Sequence, residues 1–527
     1  MIAAGLLACG GGSNHSVPAE DSGLVSDVGT GEGGATEAGD ASDAGLGNDT
    51  STDAPATDGA DAAPPPPCVP YDAAPPGTLL APGAALQLWG VTSDGYAIYS
   101  DLNGVLWAAP IAGGAPQSIT NHLGASPNAW MAGTHVIVWL DVTTVPSTGR
   151  QLSKFGVWSA AGGYHEAPGA GVYGEIALSP DGSSALYTAN IDSNGQVGDV
   201  VASATTFTAA PTTLFSSIDV DITGGCPPLL AFAGAGAGTG VLAACTQSST
   251  ATLYRVDPAA WTTTQLMTNL FPWMVYLQGT TIFAVDLDGN GMIVPLGGAA
   301  PVPIDTNVYF GIVYPDQSHV VYALKDGTFK TAPVAGGSSV TLVESVDAGL
   351  GVTGAFAAFS PDGKHLLTSR NRSEFADLYV VDLTAPNQTP IAIDTSTNVP
   401  FLYGYAWSAD GQYVVYPTDD TEFNATLNVA NATTGAPVGA AYTGVLGAYG
   451  VGTTGQQFAF MSVPPAGDAG QAPTMGNIEV EDLSAASPAA TLLVPNAGTG
   501  ASATPGGTKI AYTTTACPQG VYLVDVP

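Results

Sequence analysis

Basic residues are scarce in this chain of 527 residues, where nine Lys and Arg stand against forty-four Asp and Glu and leave a formal net charge of −35. Nucleic-acid binding needs a positive footprint and is excluded, as is polybasic attachment to anionic lipid. Charge of either sign is sparse as well: 10% of residues, against about 25% in average proteins, so Thr, Ser, Asn, Gln and Gly must cover the surface. No apolar run reaches the length of a membrane helix; the nearest, Leu229 to Cys245, is interrupted by glycines and predicts two strands with a loop. Stretches with helical 3.6-residue periodicity are missing, which excludes helical repeats. A G-x-S-x-G nucleophile elbow, a C-x-x-C pair and any His-Cys cluster are absent from the sequence too, so it offers no serine-hydrolase or zinc signature.

What the chain has is an internal repeat. Ser179-Pro180-Asp181-Gly182 leads into Ala185-Leu186-Tyr187, Ser360-Pro361-Asp362-Gly363 into Leu366-Leu367, and Ser408-Ala409-Asp410-Gly411 into Val414-Val415-Tyr416. Weaker copies centre on Asp94-Gly95, Gly133, Gly240, Gly279, Asp316, Gly455 and Gly506. Together they make ten units about 46 residues apart, the spacing of four-stranded propeller blades. Pro presets φ and Gly accepts φ > 0, so the motif reverses the chain between two strands. A second turn follows at Asn103-Gly104, Asp288-Gly289 or Asp326-Gly327, a hairpin signal. A third, at Gly113-Gly114, Gly297-Gly298 or Gly336-Gly337, precedes a short fourth strand. The fold expected is all-β: a propeller of about eight to ten units over residues 78–527. A single ring is favoured over two tandem rings, or over half-blades at Gly133 and Gly240.

The pattern S-P-D-G…L-Y-V-V-D-L, most complete from Phe359 to Leu383, resembles the WD40-like blades of the TolB family, and the Asn-Gly…Ala-Gly-Gly-Ala-Pro units resemble YWTD-like blades. The resemblance covers residues 84–527. It implies a propeller, and it leaves function open, because such blades serve periplasmic Tol-Pal components, propeller halves of peptidases and many lipoproteins.

The opening residues Leu6-Leu7-Ala8-Cys9-Gly10 resemble a bacterial lipobox. Residues 1–8 are expected to be the end of a lipoprotein signal peptide whose true start lies upstream, with Cys9 as the lipidation site. Gly10 after the Cys implies outer-membrane delivery in a Gram-negative cell, facing the periplasm or the cell surface. Residues 9–77 are rich in Gly, Ala, Ser and Pro and carry twelve acids from Glu20 to Asp72 without one base. Such a segment cannot bury enough apolar surface to fold, so a disordered acidic tether is expected.

Four cysteines besides Cys9 allow three pairings. Cys226 with Cys245, and Cys68 with Cys517 clasping the two ends of the repeat, is the favoured arrangement; free buried thiols are the alternative. Asp286, Asp288 and Asn290 match the opening of a calcium loop, but position twelve is Gly297, and the segment aligns with ordinary hairpin turns, leaving a simple turn or a weak calcium site. Beyond calcium no cofactor is expected. The six histidines are scattered, with His319 and His365 read as exposed turn residues. The eight tryptophans are read as packing between blades. The functional expectation is a non-catalytic envelope scaffold whose propeller binds a protein or glycan. A propeller glycoside hydrolase or polysaccharide lyase, and a structural propeller with weak calcium binding, are the alternatives.

Overall fold

A computed structural model describes residues 75–83, 85–120, 128–146, 151–220, 228–245, 250–344, 357–372, 375–385, 388–399, 406–418, 425–451, 455–462, 475–485, 488–514 and 517–527. Its strands pair with their neighbours antiparallel, as four-stranded meanders. Blade 1 comprises Ala85–Val91, Tyr96–Asp101, Leu106–Pro110 and Gln117–Thr120, and blade 2 comprises Asn128–Ala132, His135–Thr144, Gln151–Ser159 and Gly163–Val172. Blade 3 is Ile176–Leu178, Ser184–Ala189, Val197–Ala204 and Thr212–Asp219. Blade 4 is Leu229–Ala233, Thr239–Cys245, Ala251–Asp257 and the first half of Thr262–Gln278, whose second half opens blade 5 ahead of Thr281–Asp286, Gly291–Pro295 and Val302–Asp305. Blade 6 is Val308–Val313, His319–Leu324, Phe329–Pro333 and Val340–Val343, and blade 7 is Ala357–Phe359, His365–Arg372, Phe375–Asp382 and Pro390–Val399. Blade 8 holds Ala406–Trp407, Tyr413–Thr418, Ala425–Asn431 and the start of Tyr442–Val451, which continues into blade 9. Blade 9 adds Gln457–Ser462, Met475–Asp482 and the start of Thr491–Ala503, whose end opens blade 10.

Blade 10 explains closure. Its second and third strands are Lys509–Thr514 and Gly520–Asp525, and its outermost strand comes from the other end of the chain: Thr78–Pro82 pairs antiparallel with Gly520–Asp525, Thr78 opposite Leu523 and Pro82 opposite Gly520. The first strand of blade 1 then packs on the first strand of blade 10, so the ring closes. First strands of successive blades approach one another, which places them innermost, around the axis.

The sequence builds this ring because each blade is buried on both faces. Ser184–Ala189 is buried along its whole length, and such middle strands read as apolar runs rather than alternating ones. Among the described residues ten buried apolar clusters separate the blades, one at each interface. The cluster of Leu80, Leu88, Tyr99, Val521 and Leu523 lies between blades 10 and 1. A fully buried Val, Leu or Phe contributes about 1.5–3 kcal/mol, so every interface holds its neighbours firmly.

The structure refines the sequence reading in two places. The units at Gly133 and Gly240 are complete blades, not half-blades, and the first turn of blade 4 is Gly234 to Gly238, with Gly240 already inside the next strand. The run Leu229 to Cys245 is two strands, Leu229–Ala233 and Thr239–Cys245, as expected. The tether and Cys9 lie outside the described residues.

Candidate functional site

Antiparallel alternation gives the ring two unlike faces. First and third turns of each blade lie on one, while hairpins between second and third strands, with the connections between blades, lie on the other.

The first turns are built by their own side chains. Ser360 Oγ donates to Asp362 Oδ1 (2.7 Å) and accepts from the His365 N–H (2.9 Å), while Asp362 Oδ1 accepts from the Lys364 N–H (3.0 Å). Ser179 with Asp181 and Ser408 with Asp410 repeat the arrangement, and Thr92 with Asp94 uses a shorter version. The Ser183 N–H, with the Ser179 and Ser183 hydroxyls, holds the Asp181 carboxyl below the usual range. The hydroxyl and N–H of Ser318 do the same for Asp316. These carboxylates are ionised, and they are engaged in the turns that carry them.

Neighbouring turns also join into a girdle. The Ser93 N–H donates to Gly133 O (2.9 Å), Asp181 N–H to Gly236 O (3.0 Å), Gly234 N–H to Gly279 O (3.2 Å) and Asp410 N–H to Gly455 O (3.3 Å). Gln317 Oε1 accepts from the Thr280 N–H (2.8 Å), and the His135 ring sits against Gly182, where an added Cβ would lie 2.0 Å from Cε1. Sequence reasoning assigned the turn glycine to φ > 0 alone; the adjoining blade imposes a second demand on it. The repeat's regular spacing was the only signal available.

The opposite face carries the hairpins. Asp286 Oδ1 accepts from the N–H groups of Asp288 (3.0 Å) and Asn290 (2.8 Å), and Oδ2 accepts from Asn290 Nδ2 (2.8 Å). Asp101 is used in the same way by Asn103 and Val105, its second oxygen taking the Trp107 Nε1–H (3.0 Å). The proposed calcium ligands thus form a hairpin turn whose first carboxylate is already hydrogen-bonded through both oxygens, with Asp288 exposed. The longest connections, from Val343 to Ala357 and from Ser462 to Met475, leave from this face as well.

The innermost strands, from Ala85–Val91 through Val308–Val313 to Ala406–Trp407, are apolar, aromatic and amide-bearing in sequence. Trp139 and Trp158 are fully buried, and Trp130, Trp139 and Tyr173 pack edge-on between blades 2 and 3, in line with a packing role. The histidines differ from expectation: His319 and His365 are half-buried, His319 against Tyr314 (5.4 Å) and His365 against Trp407 (6.2 Å), because each opens a second strand at a blade interface. Two further features were not legible in sequence. Asp305 accepts from Lys330 Nζ (3.0 Å) and Tyr322 Oη (2.9 Å), a half-buried ion pair within blades 5 and 6. Glu481 is 1% exposed, and burial raises its carboxyl, partly offset by the Tyr442 hydroxyl.

Cys245 and Cys517 are each disulfide-bonded, so free thiols do not describe these two; Cys68 and Cys226 lie outside the described residues.

The sequence matches no family model and no curated protein. Solved structures similar in shape include a eukaryotic initiation factor, at 10% identity over 80% of this chain and 91% of that one with a TM-score of 0.45. Sqt1 from Chaetomium thermophilum follows at 12% identity, 67% and 96% coverage and 0.36. A TolB-type protein from Agrobacterium tumefaciens aligns at 12% identity, 54% and 100% coverage and 0.26. The propeller assignment rests on the strand pairing described above.

Proposed function

We propose that this chain is an exported, non-catalytic TolB-like propeller lipoprotein, anchored through Cys9 in a Gram-negative outer membrane, whose ring is a binding scaffold for an envelope protein or glycan. The observation that carries the reading is the contrast between the two faces. On the S-P-D-G face the carboxylates are committed to turns that lock to their neighbours, whereas the other face bears free-standing hairpins and the longest connections, where binding residues concentrate on rigid scaffolds. Two disulfide-bonded cysteines fit an oxidising compartment outside the cytosol.

Photo-crosslinking residues placed in the full chain at Asp326 on the hairpin face and at Asp362 on the S-P-D-G face test it in the native host. Envelope adducts from Asp326 and few from Asp362 are expected. Adducts from Asp362 alone would reverse the binding face, and turnover of an acidic polysaccharide by the purified protein would replace the scaffold with the lyase or hydrolase alternative. Intact mass reads the anchor separately: a diacyl or triacyl increment at Cys9, lost in Cys9→Ser, is expected, and an unmodified soluble chain would remove it.

A further inference from the structure

We infer that Cys517 is bonded to Cys68, and that this bond straps the segment preceding the closing strand onto blade 10. Strand register narrows the partners. Asp219 pairs with Cys245, and Leu229 pairs with Ala243, so the connection carrying Cys226 begins and ends beside Cys245. Cys226 stands three residues before Leu229, within about 10 Å of chain reach, and takes Cys245.

Cys517 then has Cys68 or Cys9, and the geometry at blade 10 favours the nearer. Gly77, at φ +96°, lies so close to Leu523 O that a Cβ would clash at 2.3 Å, and here the chain turns onto the closing strand. Just before it, Pro76 O accepts from the Tyr512 hydroxyl. Tyr512 stacks on Tyr522 with centroids 5.6 Å apart, and the Tyr522 hydroxyl donates to Pro518 O (2.8 Å), the residue after Cys517. Two stacked tyrosines therefore link the entering chain to the loop that bears Cys517. From Pro76 back to Cys68 is eight residues, up to about 27 Å of chain, enough to reach that loop.

Oxidation of the two thiols by a disulfide-exchange partner forms the S–S bond and reduces that partner to a dithiol. Dithiothreitol reverses it, closing into its own cyclic disulfide as both cysteine thiols return. In the oxidised state all ten blades lie within one covalent loop; in the reduced state closure depends on the strand pairing alone.

Non-reducing peptide mapping of the full chain is the test. Linked peptides joining Cys68 with Cys517 and Cys226 with Cys245 are expected. A Cys9–Cys517 or Cys68–Cys226 peptide, or an unlinked Cys68, overturns the assignment whatever the state of Cys9. Cys68→Ser and Cys517→Ser should each speed hydrogen exchange across Thr78–Pro82 and lower the melting temperature by the same amount, on the order of 5 °C. Unchanged exchange in that strand would show that the bond does not strap the closure.

Discussion

At the scale of single residues, the turn motif is a set of obligations that no one residue meets alone. Gly182 needs a φ of +69° and, in the same place, room for the His135 ring of the preceding blade. Gly182→Ala should therefore destabilise the protein by about 1–3 kcal/mol, read as a lower urea midpoint, whereas a loss below 0.5 kcal/mol would mean the His135 contact yields freely. Titration works in opposite directions at two kinds of carboxyl. Asp181 and Asp316 are held below 3.8, so their contribution is present above that pH and is lost as the pH falls further. Glu481 is raised above 4.5 by burial, so its contribution is complete below 4.5 and is lost as the pH rises through its folded value. Glu481→Gln should raise the melting temperature at pH 8 and leave it nearly unchanged at pH 4; a pH-independent difference would contradict a titrating buried acid.

At the scale of elements, the blade was largely legible and its borders were not. Ser-Pro-Asp-Gly, Asn-Gly and Gly-Gly turns mark the three reversals of a four-stranded meander, and each was placed from local backbone chemistry. Thr262–Gln278, Tyr442–Val451 and Thr491–Ala503 hide their borders, because one strand is outermost in one blade and innermost in the next without a turn residue between. Thr78–Pro82 was hidden for another reason: it pairs with Gly520–Asp525 across almost the whole chain, and no local pattern reports so distant a partner. The half-buried histidines and Glu481 escaped notice likewise, since their surroundings come from adjoining blades or a distant strand. Deleting residues 1–82 should leave Gly520–Asp525 as an open edge, and the truncated protein should show raised hydrogen exchange in blade 10 and self-association in sedimentation. A monomer with unchanged protection there would mean that the ring closes without the strand.

At the scale of the molecule, ten blades exceed the four to eight common in propellers, and the structure accommodates them by giving every interface its own apolar cluster and joining most first turns in a girdle. The net charge of −35 is spread over a surface whose described ion pairs are few, among them Lys154 with Asp141 and Lys509 with Asp525, which suits solubility and a neutral or basic partner. The count of ten was contained in the sequence as ten turns, while the choice of one ring over two required the contact between the first and last blades. The most direct measurement is an end-on image of the full chain by cryo-electron microscopy. A single closed ring with ten radial blades is the predicted result; two smaller rings, or a gap between the first and last blades, would contradict it.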